Sequence, residues 1–350
     1  MAPVPAIVAI PAWNEAARIT ACLTAIANQI RPPTAVVLLA NNCTDGTEAV
    51  ARAVVMPFRL HILSVALAAA TAGAGTARRL AMQQAALLAG PAGVVLTTDA
   101  DAVAPADWVA RNLDALAAGA DMVCGRAVID PVEARAIGAH LHADDALECS
   151  YGDLLDAILD AVCPDPADPR PRHGEASGAS IAVTVDALAR AGGVPALAMG
   201  EDRALAAALA RIDARIRHDP DIRVTVSGRL EGRAAGGMAD TMRRRMTRQD
   251  EFTDEQLEPA VDALRRADFR RRVHAAWADP GSEPDLAADL LLHPATLTRL
   301  LDTPYRGTAW ADIEQASAVM RRRRVRFAEL PRQIAHAKDL LASLAREAAV

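Results

Sequence analysis

The sequence predicts an α/β fold, a mostly parallel central sheet flanked by helices, followed by a helical C-terminal region. Three observations carry this reading. Short, nearly continuous apolar runs alternate with helix-period segments from the start of the chain. The runs at 6–10, 36–40 and 93–98 each lead into a polar loop, as strands buried on both faces of a parallel sheet do. Beyond Gly237 the strand pattern stops and helices rich in arginine take over.

The elements follow in order. Residues 6–10 form an apolar run ended by Pro11, which suits a buried strand. In 16–29, Ile19, Cys22, Leu23 and Ile26 recur at helical spacing until Arg31-Pro32-Pro33 stops the pattern. Residues 36–40 are a second strand, 41–46 a loop and 47–53 a helix; 60–65 supply a third strand. Gly73 and Gly75 open an alanine-rich helix over 76–88, and 93–98 return as a strand ending on Asp99-Ala100-Asp101. A helix is expected over 108–118, a strand over 122–129 and mostly helix over 134–162, with a proline-rich breaker at 164–171. Residues 177–185 read as extended, 185–190 and 203–212 as helices, and 222–227 as the last strand. The expected division is a catalytic α/β domain over 1–236 and a helical region over 237–350.

Composition removes several function classes. In the 350-residue chain 52% of residues are hydrophobic and 23% charged, a globular balance that excludes disorder. Only 3% are aromatic, against the stacking platforms that hold single-stranded nucleic acid. Net charge is −6, with 19 basic and 26 acidic groups in residues 1–239 and 19 and 18 in 240–350, so no nucleic-acid partner is expected. The arginine runs at 243–245, 270–272 and 321–324 are read as i,i+4 pairing on helices. Cys22, Cys43, Cys124, Cys149 and Cys163 contain no C-x-x-C pair and read as reduced thiols. The start lacks a basic signal region, and the longest uncharged run, 62–77, is 16 residues of mainly Ala, Gly and Thr, short of the roughly 20 apolar residues a spanning helix needs. The expectation is a cytoplasmic protein with no integral membrane segment. The alanine-rich tail either covers the sheet or assists a homodimer.

Three motifs carry chemistry. Asp99-Ala100-Asp101 follows an apolar strand, where two hard carboxylates can face one Mg²⁺ or Mn²⁺; otherwise Asp99 caps a turn and Asp101 is solvated. Glu201-Asp202 heads a helix, where a carboxylate can serve as general base, although the helix dipole favours acids there regardless. Residues 73–79 place glycines before a helix and Arg78 and Arg79 one turn inside it, a setting for an anionic diphosphate or for a solvated arginine face. In a doubly wound sheet the loops at 11–15, 41–45 and 99–101 meet beyond the carboxyl ends of the strands.

Taken together these motifs resemble family 2 glycosyltransferases of the GT-A fold, over roughly residues 4–235. Val8-Ala-Ile-Pro11-Ala12-Trp13-Asn14-Glu15 is similar to the family's first-strand signature. Asn41-Asn42-Cys43-Thr44-Asp45-Gly46-Thr47 is similar to its second nucleotide loop, with Asn41 where an acidic residue commonly touches the base. The resemblance implies that Pro11, Ala12, Glu15, Asn41, Gly75, Arg78 and Asp99 hold a UDP- or GDP-sugar, that Asp101 with Asp99 ligates Mn²⁺ or Mg²⁺, and that Asp202 is the base. Gly178-Ala179-Ser180, Gly192-Gly193-Val194-Pro195 and Gly200-Glu201-Asp202 follow in the family's order, and Arg229 and Arg233 fall where basic residues would close over the diphosphate. The Q-x-x-R-W string of processive synthases is absent, which implies transfer of one sugar. The implied reaction is a single displacement that inverts the anomeric carbon. A nucleotidyltransferase is the alternative enzyme, but 11–15 contain no glycine and no basic residue; a non-catalytic scaffold is the other, against which the intact acidic motifs speak.

Overall fold

The structure, a computed structural model, describes residues 4–68, 73–230 and 238–348. Arg233 and the expected domain boundary at 236/237 lie outside the described residues. The elements are β1 (Ala6–Ala12), α1 (Ile19–Ala27), β2 (Ala35–Asn41), α2 (Thr47–Ala53), β3 (Arg59–Val65), α3 (Ala74–Ala89), β4 (Val94–Thr97), α4 (Trp108–Ala117), β5 (Met122–Ile129), α5 (Ala139–Val162), β6 (Ile181–Thr184), α6 (Val185–Arg190), α7 (Glu201–Arg211) and β7 (Ile216–Val226). Then come α8 (Met238–Thr247), α9 (Ala260–Ala278), α10 (Leu286–Asp289), α11 (Pro294–Leu301), α12 (Arg306–Ala316) and α13 (Leu330–Glu347).

The strands form one sheet in the order β3-β2-β1-β4-β6-β5-β7. β1 pairs in parallel with β2 and β4, β2 with β3, and β5 with β7, whereas β6 is antiparallel to both β4 and β5. This reversal decides what reaches the site. Because Ile181 at the start of β6 lies opposite Thr97 at the end of β4, residues 178–180 arrive at the edge where β4 leaves.

Two strands are longer than the sequence pattern predicts. β1 runs through Pro11 to Ala12. Thr98 N donates to Ala9 O, and the β4 ladder ends at Ala9↔Thr97, so the N–H that Pro11 lacks would point past the end of β4. β7 starts at Ile216 rather than near 222; a register shift against β5 between Cys124 and Arg126 absorbs the polar, proline-containing stretch that hid the strand's first half.

The chain divides into two compact units, one of Met1–Ile137, Arg170–Leu209 and Ala214–Arg243, the other of Gly138–Pro169, Ala210–Asp213 and Arg244–Val350. In the first, Val8, Ile10, Val36, Leu38 and Leu96 of the central strands pack with Ile19, Leu23 and Ile26 of α1 and with Trp108 of α4. Those helix positions are the ones the 3.6-residue period selects. In the helical unit one core joins Tyr151 and Ile158 of α5 to Ala260 of α9 and to Leu330 and Ala337 of α13. A second core gathers Phe269, Val273, Leu286, Leu290, Leu297 and Ile313. The arginines here are tied mainly by i,i+3 and tertiary pairs rather than the expected i,i+4 ones: Arg265 to Asp262, Arg271 to Asp268, Arg266 to Glu258 and Arg272 to Glu283. Among the described residues no helix is long and apolar enough to cross a membrane.

Candidate active site

The parallel strands β1, β2 and β4 deliver three loops to one edge of the sheet, and side-chain bonds stitch the first two together. Asn14, at φ 56, presents its Oδ1 to Thr44 N at 2.7 Å. Glu15 N donates to Thr47 Oγ1 at 2.8 Å, and Asp45 accepts from Ala16 N at 3.0 Å and from Thr47 N at 3.1 Å. Burial would raise the Asp45 carboxyl, but the Thr47 hydroxyl and these backbone donors hold it below its ordinary value. Asn42 braces the far side, accepting from Leu67 N at 2.8 Å and donating to Leu67 O at 3.0 Å. Pro11 and Ala12 close β1 beneath this lattice. Asn41, at the end of β2, is buried, and its Oδ1 has no hydrogen-bond partner among the described residues; Thr98 Oγ1, beyond β4, is in the same condition.

The acidic turn lies beside them. Arg229 spans Glu15 and Asp101: its Nη1 donates to Glu15 Oε2 at 2.8 Å, and its Nη2 lies 3.2 Å from Asp101 Oδ2. Burial opposes the charge on Arg229, yet the hydrogen bond it donates to Glu15 and the charge of Asp101 raise its pKa. The Asp101 carboxyl is pushed up to about 6, first by burial and then by Asp99, with Arg229 pulling the other way. The Cys22 thiol beneath donates to Asp99 O at 3.4 Å and is pushed well above its usual range by burial and by Asp101.

Arg78 joins the acidic turn to the head of α7. It is 6% exposed, and four of its N–H groups are committed: Nε to Glu201 Oε1 at 2.8 Å, Nη1 to Thr97 Oγ1 at 2.9 Å and Gly178 O at 2.8 Å, and Nη2 to Asp99 Oδ1 at 2.6 Å. Burial alone would lower its pKa; Asp99 and Glu201 raise it instead. Gly178 completes the link, since its N–H donates to Asp202 Oδ2 at 2.9 Å while Arg203 N donates to Asp202 Oδ1 at 2.8 Å. Glycine is required here, because a Cβ at 178 would fall 2.3 Å from Arg78 Cζ. Gly75 is needed for the same reason: a Cβ there would meet Leu197 O at 2.4 Å and Glu201 Oε2 at 2.7 Å.

The structure thus gathers Glu15, Arg78, Asp99, Asp101 and Asp202 into one hydrogen-bonded and charged network. Two expected diphosphate contacts look different at this level. Gly75 faces protein, lying against the carbonyls of Leu197 and Ala198, and Arg78 turns its donors inward to carboxylates and a carbonyl. Sequence reasoning missed Glu201 as the counter-ion of Arg78; the one available signal was a second acid at a helix head, which the helix dipole already explains. It also missed Glu133, whose carboxylate accepts from Arg18 Nη1, Ser227 Oγ and Gly228 N at 2.8, 3.0 and 2.6 Å and so anchors the segment bearing Arg229. Among the described residues no three or more of His, Cys, Asp and Glu assemble into a metal-binding group.

Residues 7–164 match the family model described as glycosyl transferase family 2. No curated protein matches the sequence. Among solved structures, a mannosyltransferase from Pyrobaculum calidifontis in complex with GDP-Man and Mn²⁺ is 20% identical, covers 99% of this chain and 81% of its own, and has a TM-score of 0.46. S. aureus TarS 1–349 in complex with UDP-GlcNAc is 17% identical, with 90% of each chain covered and a TM-score of 0.46. Glucosyl-3-phosphoglycerate synthase from Mycobacterium tuberculosis is 17% identical, with 70% and 77% covered and a TM-score of 0.43.

Proposed function

We propose that the protein moves one sugar from a UDP- or GDP-sugar to an acceptor hydroxyl with inversion at the anomeric carbon, aided by Mn²⁺ or Mg²⁺, using residues 1–236 as the catalytic domain. The observation that carries this reading is the link Asp99–Arg78–Gly178–Asp202, which ties the acidic turn to the carboxylate at the head of α7 through one guanidinium and one peptide unit.

Asp202 is the general base in this reading. Two backbone N–H groups orient its carboxylate, one on each oxygen, and each oxygen keeps a lone pair for the acceptor hydroxyl. Deprotonation there directs the hydroxyl at the sugar carbon from the face opposite the leaving diphosphate. Asp99 and Asp101 offer only hard carboxylate oxygens, suited to a cation that completes its shell with substrate phosphate and water. Those two residues would hold the metal, which when bound neutralises charge developing on the diphosphate. Arg229, partnered by Glu15 and Asp101, adds a cation to the same face. The unpartnered Oδ1 of Asn41 is an acceptor suited to a ring N–H of the nucleotide base.

The test is nucleotide release from UDP-glucose, UDP-N-acetylglucosamine and GDP-mannose with Mn²⁺ or Mg²⁺, with and without chelator, by wild type and Asp202→Asn. The reading requires metal-dependent release of a nucleoside diphosphate that the substitution abolishes. Activity indifferent to both changes, or pyrophosphate formed from a nucleoside triphosphate and a sugar phosphate, would overturn it.

A further inference from the structure

One carboxylate ties together two segments that meet again over the acidic turn. Glu133, in the 3-10 turn Glu133–Ala136 after β5, accepts Arg18 Nη1 on Oε1 at 2.8 Å, and Ser227 Oγ at 3.0 Å and Gly228 N at 2.6 Å on Oε2. Arg18 closes the turn that begins at Glu15, since Arg18 N and Ile19 N each donate to Glu15 O at 2.9 Å. Ser227 and Gly228 lead directly into Arg229, whose N–H donates to Ser227 Oγ at 3.1 Å. The 3-10 turn is braced in its place: Asp130 Oδ1 accepts Val132 N at 2.8 Å and Glu133 N at 3.1 Å, and Asp130 N donates to Val226 O at 2.9 Å. Gly228 allows this close approach, because a Cβ there would fall 2.7 Å from Ile129 Cγ2 and 3.1 Å from Glu133 Cβ.

The far ends of the same two segments pair. Arg229 grips Glu15 with both Nη atoms, Nη1 to Oε2 at 2.8 Å and Nη2 to Oε1 at 2.5 Å, a bidentate arrangement that fixes the plane of the guanidinium. That plane brings Nη2 to 3.2 Å from Asp101 Oδ2. Asp99 is held instead by Arg78, which three further hydrogen bonds lock in place. Arg229 is the looser of the two cations: its side chain is 22% exposed against 7% for Arg78, and the Glu133 bonds fix the backbone that carries it. A divalent cation taken up by Asp101 must share that carboxylate with a guanidinium or displace it, and like charges so close repel. Displacement costs Arg229 its contact with Asp101 but not its two bonds to Glu15, so it can yield without leaving.

We propose that Arg229 competes with a divalent cation for Asp101, and that Glu133 is the positioning residue that holds it there, so that the two set the affinity of the acidic turn for the ion. This role rests on the reading of Asp99 and Asp101 as the metal-binding pair. It gives Glu133 and Arg229 an effect opposite in sign to that of a ligand or of a structural support: loss of either of those weakens cation binding, whereas loss of a competitor tightens it.

The test is Mn²⁺ binding to the full chain without donor or acceptor, followed by the electron paramagnetic resonance signal of free Mn²⁺ and by calorimetry. Arg229→Gln should bind Mn²⁺ roughly tenfold more tightly than wild type, the loss of one charge-assisted contact at Asp101. Arg229→Lys, which keeps the charge but not the fork, should fall between them. Glu133→Gln should tighten binding by a smaller factor, about threefold, and should add nothing in the Arg229→Gln background, because it acts through Arg229. Mn²⁺ bound no more tightly by Arg229→Gln than by wild type, or shifted equally by Glu133→Gln in both backgrounds, would overturn the proposal. Should Arg229→Gln fold poorly, Glu133→Gln alone decides: unchanged or weaker binding overturns it. Asp101→Asn separates the two levels. Mn²⁺ binding that needs Asp101 but ignores Arg229 sinks this role alone, whereas binding indifferent to Asp101, or none in wild type and Arg229→Gln alike, removes the metal reading with it.

Discussion

Arg78 in the α/β unit and Arg270 in the helical unit are the same residue type, each carried on a long helix and each partly or fully withdrawn from water. Arg78 has four N–H groups committed to two carboxylates, a hydroxyl and a carbonyl, whereas Arg270 has a buried Nε with nothing to bond. A buried guanidinium with its donors satisfied acts as a strut that fixes its neighbours; one with a donor left over forgoes that hydrogen bond and holds nothing in place through it. The contrast separates a region whose carboxylates are held in fixed directions by one guanidinium from one in which a guanidinium N–H is left without an acceptor among the described residues.

The largest expected effect falls on the base. Asp202→Asn should lower kcat by about 10²–10⁴-fold with little change in KM, as loss of a general base does, measured by steady-state nucleotide release. Next is the strut itself. Arg78→Met leaves Glu201, 4% exposed, without its counter-ion and should cost about 3–5 kcal/mol in urea unfolding. Arg78→Lys should recover part of that stability but little of kcat, because one ammonium cannot reach four acceptors in fixed directions. If Arg78→Met unfolds like wild type, Arg78 is no strut and the comparison fails.

Gly178→Ala should cost about 1–3 kcal/mol, since its Cβ would press on a guanidinium held by four hydrogen bonds and cannot be accommodated by swinging the side chain away. The helical unit sharpens the contrast through pH. The folded His274 titrates near 3, below the ordinary value of about 6.5, so the unfolded chain takes up the proton first. Its contribution to stability is therefore complete above about pH 6.5 and is lost as pH falls towards 3. Thermal unfolding of His274→Gln should show a shallower decline than wild type over that window. The smallest effect is expected at Arg270 itself: Arg270→Gln should stay within about 0.5 kcal/mol of wild type, the opposite of the Arg78 result.

Much of the α/β unit was legible because strand and helix periods are local. The bounds of α2 and β5 coincide with the expected 47–53 and 122–129, and both acidic motifs were visible as strings beside apolar runs. The reversed direction of β6 was not legible, since a short buried strand carries the same apolar pattern whichever way it runs. Nor was the first half of β7, whose polar stretch is taken up by a shift in its pairing with β5. At the site, Arg78 read as an anion contact because a sequence shows that an arginine heads a helix, not that Glu201, 123 residues away, is its partner.

What the sequence determined alone was the alternation of elements, the three polar loops and the carboxylates at their tips, because each depends on residues within a few positions of one another. Which of those groups face each other, which arginine is satisfied and which glycine must stay glycine were decided by tertiary structure. The reason is geometric. The reversed β6 carries Gly178 to the end of β4, where a peptide N–H meets Asp202 and a carbonyl meets Arg78, and such contacts exist only once distant segments share one edge of the sheet.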